Sequence, residues 1–135
     1  MAEEPDGGSG LTAERLMGSA AVVVEPGTEV VTALRVMDDR RLQHLPVVHD
    51  GRCLGLAFQV DLLAALARAQ FSSLPLLVGS ICRQPPPAVL RDTTRRVVAQ
   101  IMVNRESDAL VVLDGGHVLG VVTALDVVRS VALYG

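Results

Sequence analysis

Apolar positions along the chain follow two rhythms in alternation, and the alternation occurs twice. "AVVVE" at 21–25 is a short run rich in β-branched residues and predicts a strand. "PGTEVVTALRVMDDRR" follows with Val30, Ala33, Leu34 and Met37 at helical spacing, and Thr28 placed to cap the helix start. "HLPVVHDGRCLGLAF" reads as two strands around a tight "DG" turn. "VDLLAALARAQ" reads as a second helix. The same order returns in "PAVLR", "DTTRRVVAQIMVNRE", "ALVVLDGGHVLGVV" and "ALDVVRSVALYG". There Val98, Ile101 and Met102 carry the helix face, and "GG" makes the turn.

The recurrence is a duplication. A shift of 65 residues overlays 24–64 on 89–129 without a gap, and ten of the 41 positions are identical. Met37/Met102, Gly51/Gly116, Gly55/Gly120 and Asp61/Asp126 are among them. Each copy predicts β-α-β-β-α. One copy alone buries little surface for its size, so two copies are expected to pack together. The expected organisation is a disordered tail over 1–10, a first repeat over 11–70, a crossover linker over 71–79 and a second repeat over 80–135. The tail is acidic and glycine-rich. "LTAERLMG" after it predicts a short helix with Thr12 as its cap, and "LVGSIC" in the crossover matches "AERLMG".

Composition narrows the function classes. The chain has 135 residues, half of them apolar, and a net charge of −3. Its apolar runs are too short to span a membrane and no secretory signal is apparent, so a cytoplasmic protein is expected, without a membrane partner. All basic residues are arginines, scattered along the chain; the pairs at 40–41 and 95–96 read as solvated helix faces. With aromatics limited to Phe58, Phe71 and Tyr134, no nucleic-acid partner is expected. Cys53 and Cys82 form no CxxC pair, and His44, His49 and His117 lack metal-ligand spacing, so no metal is expected. No Ser-His-Asp, Cys-His or paired-carboxylate arrangement appears, and no enzyme is expected.

The chemistry lies in "GVVTALD" at 120–126 and its copy "GLAFQVD" at 55–61. Thr123 and Asp126 have the spacing of a capping box, with Asp in place of the usual Glu. The same spacing suits a ligand, because a helix start offers free N–H groups and a positive dipole end to phosphate. Both readings stand on the sequence. The first copy has Phe58 where the second has Thr123, and keeps Asp61.

A "PVVxDGxxxG" hairpin followed by "GxxTxxD" resembles the CBS domain, and two tandem copies resemble a CBS pair, or Bateman module. The likeness covers residues 11 to 133. It implies an α/β (α+β) fold of two β-α-β-β-α repeats packed sheet to sheet with pseudo-two-fold symmetry. It implies an adenosyl ligand, such as AMP or ATP, in a cleft between the repeats. Thr123 then contacts phosphate, Asp126 the ribose, and Ala88 and Val89 flank the adenine. Asp61 is the ribose group of the first copy, and His44, just before its "LPVV" strand, a phosphate partner. Phe58 cannot bond phosphate and is expected in packing rather than in stacking on adenine. The weak cationic lining favours AMP over a triphosphate. The implied function is a stand-alone regulatory sensor that needs no cofactor, works as a homodimer and modulates a partner protein. The alternative is a structural or protein-interaction module with degenerate, empty clefts.

Overall fold

The computed structural model describes residues 10–18, 21–69 and 74–135. The expected disordered tail, apart from Gly10, and residues 71–73 of the expected linker lie outside the described residues. The chain divides into two compact units that do not follow the repeat boundaries: Ala21–Pro86 is one, and Pro87–Gly135 joins the N-terminal segment in the other.

In the first unit, helix α2 (Val30–Arg40) leads into the hairpin β1 (His44–His49) and β2 (Arg52–Phe58), and α3 (Gln59–Arg68) follows. A 3-10 turn at Val78–Ser80 completes it. The core is Val30, Ala33, Met37, Leu45, Val47, Ala57, Leu62 and Val78. In the second unit, a four-residue helix α1 (Ala13–Leu16) packs with β3 (Ala88–Leu90), α4 (Arg95–Arg105), β4 (Ala109–Asp114), β5 (His117–Thr123) and α5 (Ala124–Tyr134). Its sheet has the order β3-β4-β5, with β3 parallel and β5 antiparallel to β4. Ala13, Val98, Met102, Leu110, Val112 and Val122 occupy the places of Val78, Ala33, Met37, Leu45, Val47 and Ala57. Alanine stands at 13 against valine at 78, and valine at 98 and 122 against alanine at 33 and 57.

The hairpins match the sequence pattern. Asp50-Gly51 (φ 50° and 75°) and Gly115-Gly116 (φ 57° and 88°) carry the two positive φ angles of a tight two-residue turn. Both hairpins also bulge at the same place, Leu54 in one and Leu119 in the other.

Four expectations are corrected. The run at 21–25 makes one parallel bridge, Val24 to Val47, rather than a strand. Thr28 does not cap α2, whose N-cap is Glu29, and Thr12 precedes α1 without a capping hydrogen bond from its side chain. The helix starts use a backbone partner instead. Val30 N–H donates to Leu76 O (2.8 Å) and Arg95 N–H to Leu11 O (3.1 Å). The "LVGSIC" piece aligns one residue away from the expected match, because Val78 N–H donates to Thr28 O and Ala13 N–H to Thr93 O, which restores the 65-residue shift.

The fourth correction is Arg95. Arg40, Arg41 and Arg96 are exposed, but Arg95 is only 4% exposed. It replaces Val30 of the first repeat, and Ser130 replaces Ala65. Arg95 Nη1 donates to Ser130 Oγ (3.2 Å), and the Ser130 hydroxyl donates to Val127 O (2.7 Å). A buried apolar pair in one unit has become a hydrogen-bonded pair in the other. Another exchange ties α1 down. Arg91 donates to both Glu14 oxygens (2.7 and 2.9 Å) and to Asp114 (2.9 Å), and the hydrogen bond to Glu14, ahead of that to Asp114, holds its guanidinium above its ordinary pKa. The matching place in the first unit is Pro26 against Gly79, where a Cβ on Gly79 would lie 2.8 Å from Pro26 Cβ.

Ser130→Ala should cost about 1–3 kcal/mol, because a buried guanidinium N–H loses its acceptor. Adding Arg95→Val should recover most of that loss, since Val30 and Ala65 already pack this way in the first unit. Urea denaturation of the parent, both single variants and the double variant measures the coupling.

Candidate functional site

Thr123 ends β5 and is the N-cap of α5. Its extended backbone (φ −111°, ψ 163°) turns the hydroxyl onto the helix start. Asp126 N–H donates to Thr123 Oγ1 (3.1 Å), and Thr123 N–H donates to Asp126 Oδ2 (2.8 Å). The capping box is therefore complete, and a cap of this kind stabilises a helix by about 0.5–2 kcal/mol. It leaves chemistry unused. The hydroxyl accepts here, so its proton is still available to donate. Asp126 Oδ1 faces Arg129 Nη1 at 3.5 Å, a pair on the same helix with the arginine largely exposed. The Asp126 side chain is 13% exposed, held in place and still reachable.

Ala88 and Val89 lie on β3, an edge strand of the same sheet. Val89 is buried in the core, and Ala88 is half-buried. Ala88 pairs with Val111, and Thr123 with Ala109, so both sit at the end of the sheet where β4 begins. Two strand spacings across and two residues along β4 separate them, roughly 12 Å. Ala88 and Val89 also line a shallow apolar depression of ≈ 320 Å³ with Leu90, Thr93, Val97, Ile101 and Leu113. Thr123 and Asp126 are not in its wall.

The first copy is built differently. Phe58 is the N-cap of α3 and gives it no side-chain hydrogen bond. Phe58 is 3% exposed. His44 pairs with Phe58 in the β1–β2 register and meets the ring edge-on, with centroids 4.9 Å apart and planes at 89°. Arg83 covers the ring, its Cζ 3.6 Å from the centroid. Arg83 Nε donates to Asp61 Oδ2 (2.8 Å) and Nη2 to Oδ1 (3.3 Å). Ring and fork together contribute about 1–2 kcal/mol at this half-exposed position. The structure thus gathers His44, Phe58 and Asp61 in one unit, and Thr123, Asp126, Ala88 and Val89 in the other. Sequence reasoning missed Arg83. Its one signal was indirect, an Asp61 left without the hydroxyl that Asp126 has.

Cys53 and Cys82 are free thiols; burial pushes Cys53 up, the backbone of Gly55 partly opposes this, and the neighbouring Cys82 adds to the rise. Among the described residues, no three His, Cys, Asp or Glu side chains gather as a metal site, and no helix is long and apolar enough to cross a membrane.

Comparison with known proteins gives a consistent picture. The CBS domain family model matches twice, over residues 13–68 and 78–133. The 5'-AMP-activated protein kinase subunit gamma-3 of Sus scrofa is 31% identical over 121 residues, and that of Homo sapiens 30%. These alignments cover 84% of this chain, which spans about a quarter of the length of either subunit (23% and 24%). CBSX2, whose crystal structure is in complex with AMP, superposes with a TM-score of 0.77 at 26% identity, over 91% of this chain and 97% of that one. The CBS domain pair of protein MJ0100, solved with 5-methylthioadenosine and S-adenosyl-L-methionine, shares the fold with a TM-score of 0.82 at 19% identity, over 92% and 98%. With both of its repeats matched by that model, and with α-β-β-α in the first and β-α-β-β-α in the second, the chain belongs to the CBS domain family as a tandem pair.

Proposed function

We propose that this CBS pair is a regulatory module that binds one adenine nucleotide, AMP in preference to ATP, at the start of α5. The observation that carries the reading is the Thr123–Asp126 pair. Both side chains are fixed by mutual hydrogen bonds, yet the Thr123 proton and Asp126 Oδ1 remain for a ligand. Thr123 donates to the phosphate and Asp126 accepts from the ribose. Ala88, half-buried at the same end of the sheet, flanks the base, while Val89 is part of the core. CBSX2 with AMP and the AMP-activated kinase subunits support an adenosyl ligand. His44 is held against Phe58 and contributes at most a secondary contact.

The module acts as a homodimer. Val60 and Leu63 on α3 are exposed, and so are their repeat equivalents Leu125 and Val128 on α5, with Val131 and Leu133 beyond. Both repeats therefore leave the same helix face apolar, more than one buried stripe requires. Ligand binding shifts the populations of the assembly and thereby changes a partner protein. The rival reading, an interaction module without ligand, draws on the same capping box, which satisfies Thr123 and Asp126 without any ligand.

AMP in a hundredfold excess over Kd should stabilise the folded protein by about 2.7 kcal/mol. In calorimetric titration Asp126→Ala should weaken AMP binding more than Asp61→Ala; equal losses contradict the assignment. Thr123→Val should cost up to about 2 kcal/mol of stability through the lost cap. It should also weaken AMP by about 10- to 150-fold, the loss of one hydrogen bond to a charged group, while adenosine affinity barely moves. Parallel losses for the two ligands would sink the phosphate role. Light scattering at high micromolar concentration should give twice the chain mass, and a monomer mass contradicts the dimer.

A further inference from the structure

The duplication supplies an internal control for Arg83. The repeat equivalent of Asp61 is Asp126, and that of Phe58 is Thr123. By the 65-residue shift that the backbone hydrogen bonds establish, the equivalent of Arg83 is Gly18. A Cβ placed on Gly18 would meet nothing within 4 Å. One unit therefore has an arginine where its twin has a glycine.

The Arg83 side chain is held at both ends. Its backbone exchanges two hydrogen bonds with Leu56, Arg83 N–H to Leu56 O (2.9 Å) and Leu56 N–H to Arg83 O (3.1 Å). This close approach requires Gly55, where a Cβ would lie 2.6 Å from Arg83 O and 2.8 Å from Cys82 Sγ. At its far end the guanidinium lies on the Phe58 ring and forks onto both oxygens of Asp61. A fork of two parallel N–H donors to one carboxylate presents what a ribose diol presents, two donors side by side. A flat cation on an aromatic face stands where a flat base would stack. The loss of the hydroxyl at position 58 and the gain of the arginine at position 83 are then two parts of one change.

We propose that Arg83 is a built-in occupant of the first repeat's ligand position, an autoinhibitory contact that keeps Asp61 from accepting a sugar and leaves the pair with one working site. The inference rests on the sugar-binding role proposed for the helix-start aspartates. It adds that the first position is filled from within rather than lost. Phe58 and Asp61 form a usable base-and-sugar position once the guanidinium is gone, and without a hydroxyl at position 58 that position suits a nucleoside better than a nucleotide.

Calorimetric titration with adenosine and with AMP tests this on four proteins: the parent chain, Arg83→Ala, Asp126→Ala, and the Arg83→Ala/Asp126→Ala double variant. The parent should bind one equivalent per chain, and Asp126→Ala should remove it. Arg83→Ala should bind a second equivalent of adenosine, with affinity at that position rising about tenfold or more. The double variant should keep only this new equivalent. Arg83→Lys, which keeps the charge and the backbone bonds but not the fork, should show the second equivalent more weakly, and it serves if Arg83→Ala does not fold. A clamp with a purely structural role predicts a lower melting temperature and no added equivalent in either variant, and that result overturns the proposal. The two readings fail separately. If the parent binds neither ligand, the Thr123–Asp126 assignment falls, and one equivalent in Arg83→Ala still supports the occupant, whereas none overturns it.

Discussion

Three backbone hydrogen bonds that recur in both units close them, and all of them join the repeat to a segment outside it. Residues 11–14 supply them to the second repeat and residues 76–79 to the first. The helix starts depend on this. The first N–H of α2 and of α4 meets a carbonyl of the visiting segment, so neither helix needs a side-chain cap. The cores depend on it as well, because Ala13 and Val78 enter them from those segments. What varies between the units is the chemistry that holds the visitor. Arg91 forks onto Glu14 in one, and Pro26 packs on Gly79 in the other. The backbone pattern is common to both, and the side chains adapted to it separately.

The same division separates what could be read in the sequence from what could not. Helices and hairpins were legible because their signals are local: apolar spacing for α2 to α5, and "DG" and "GG" for the turns. The duplication was legible because ten identities fall on one shift. The caps were misread because Thr28 is a good capping residue by itself, and its rival was a carbonyl some fifty residues away. The strand at 21–25 shrank to a bridge although its residues favour a strand, since pairing depends on what lies beside them. Arg95 was misread because polarity alone does not report burial; its repeat partner Val30 was the available clue. At the candidate site, the Thr123–Asp126 capping box followed from spacing, whereas the Arg83 fork joins residues 22 apart that no motif connects.

Duplicated domains offer a comparison that a single domain lacks, namely the same backbone solved twice with different side chains. Val30 with Ala65 and Arg95 with Ser130 fill one position by apolar contact and by hydrogen bonding. At the two helix starts the difference falls on the residues of the proposed binding chemistry. One start has a hydroxyl that bonds its own helix and still has a proton to give. The other has a buried ring covered by a guanidinium. A pair that begins with two equivalent positions can thus keep its fold while making those positions unequal, and Leu45/Leu110 and Val47/Val112 show the cores holding steady meanwhile.

The exchange of segments also orders the assembly of the chain in time. Ala21–Pro86 is nested inside the other unit, which takes its parts from both sides of it. As the chain leaves the ribosome N-terminus first, the nested unit has every part it needs once Pro86 has emerged. Helix α1, made earlier, must wait for β5 at His117–Thr123 before its own core exists. Closing the outer unit joins Ala13 to Thr93, 80 residues apart, against 50 between Thr28 and Val78. That difference in loop length costs only about 0.4 kcal/mol, so the delay comes from synthesis rather than from chain entropy. Until β5 arrives, Leu16 and Met17 are apolar surface on a tethered, unfinished segment beside a finished unit, and the nascent chain is most open to misassociation in that interval.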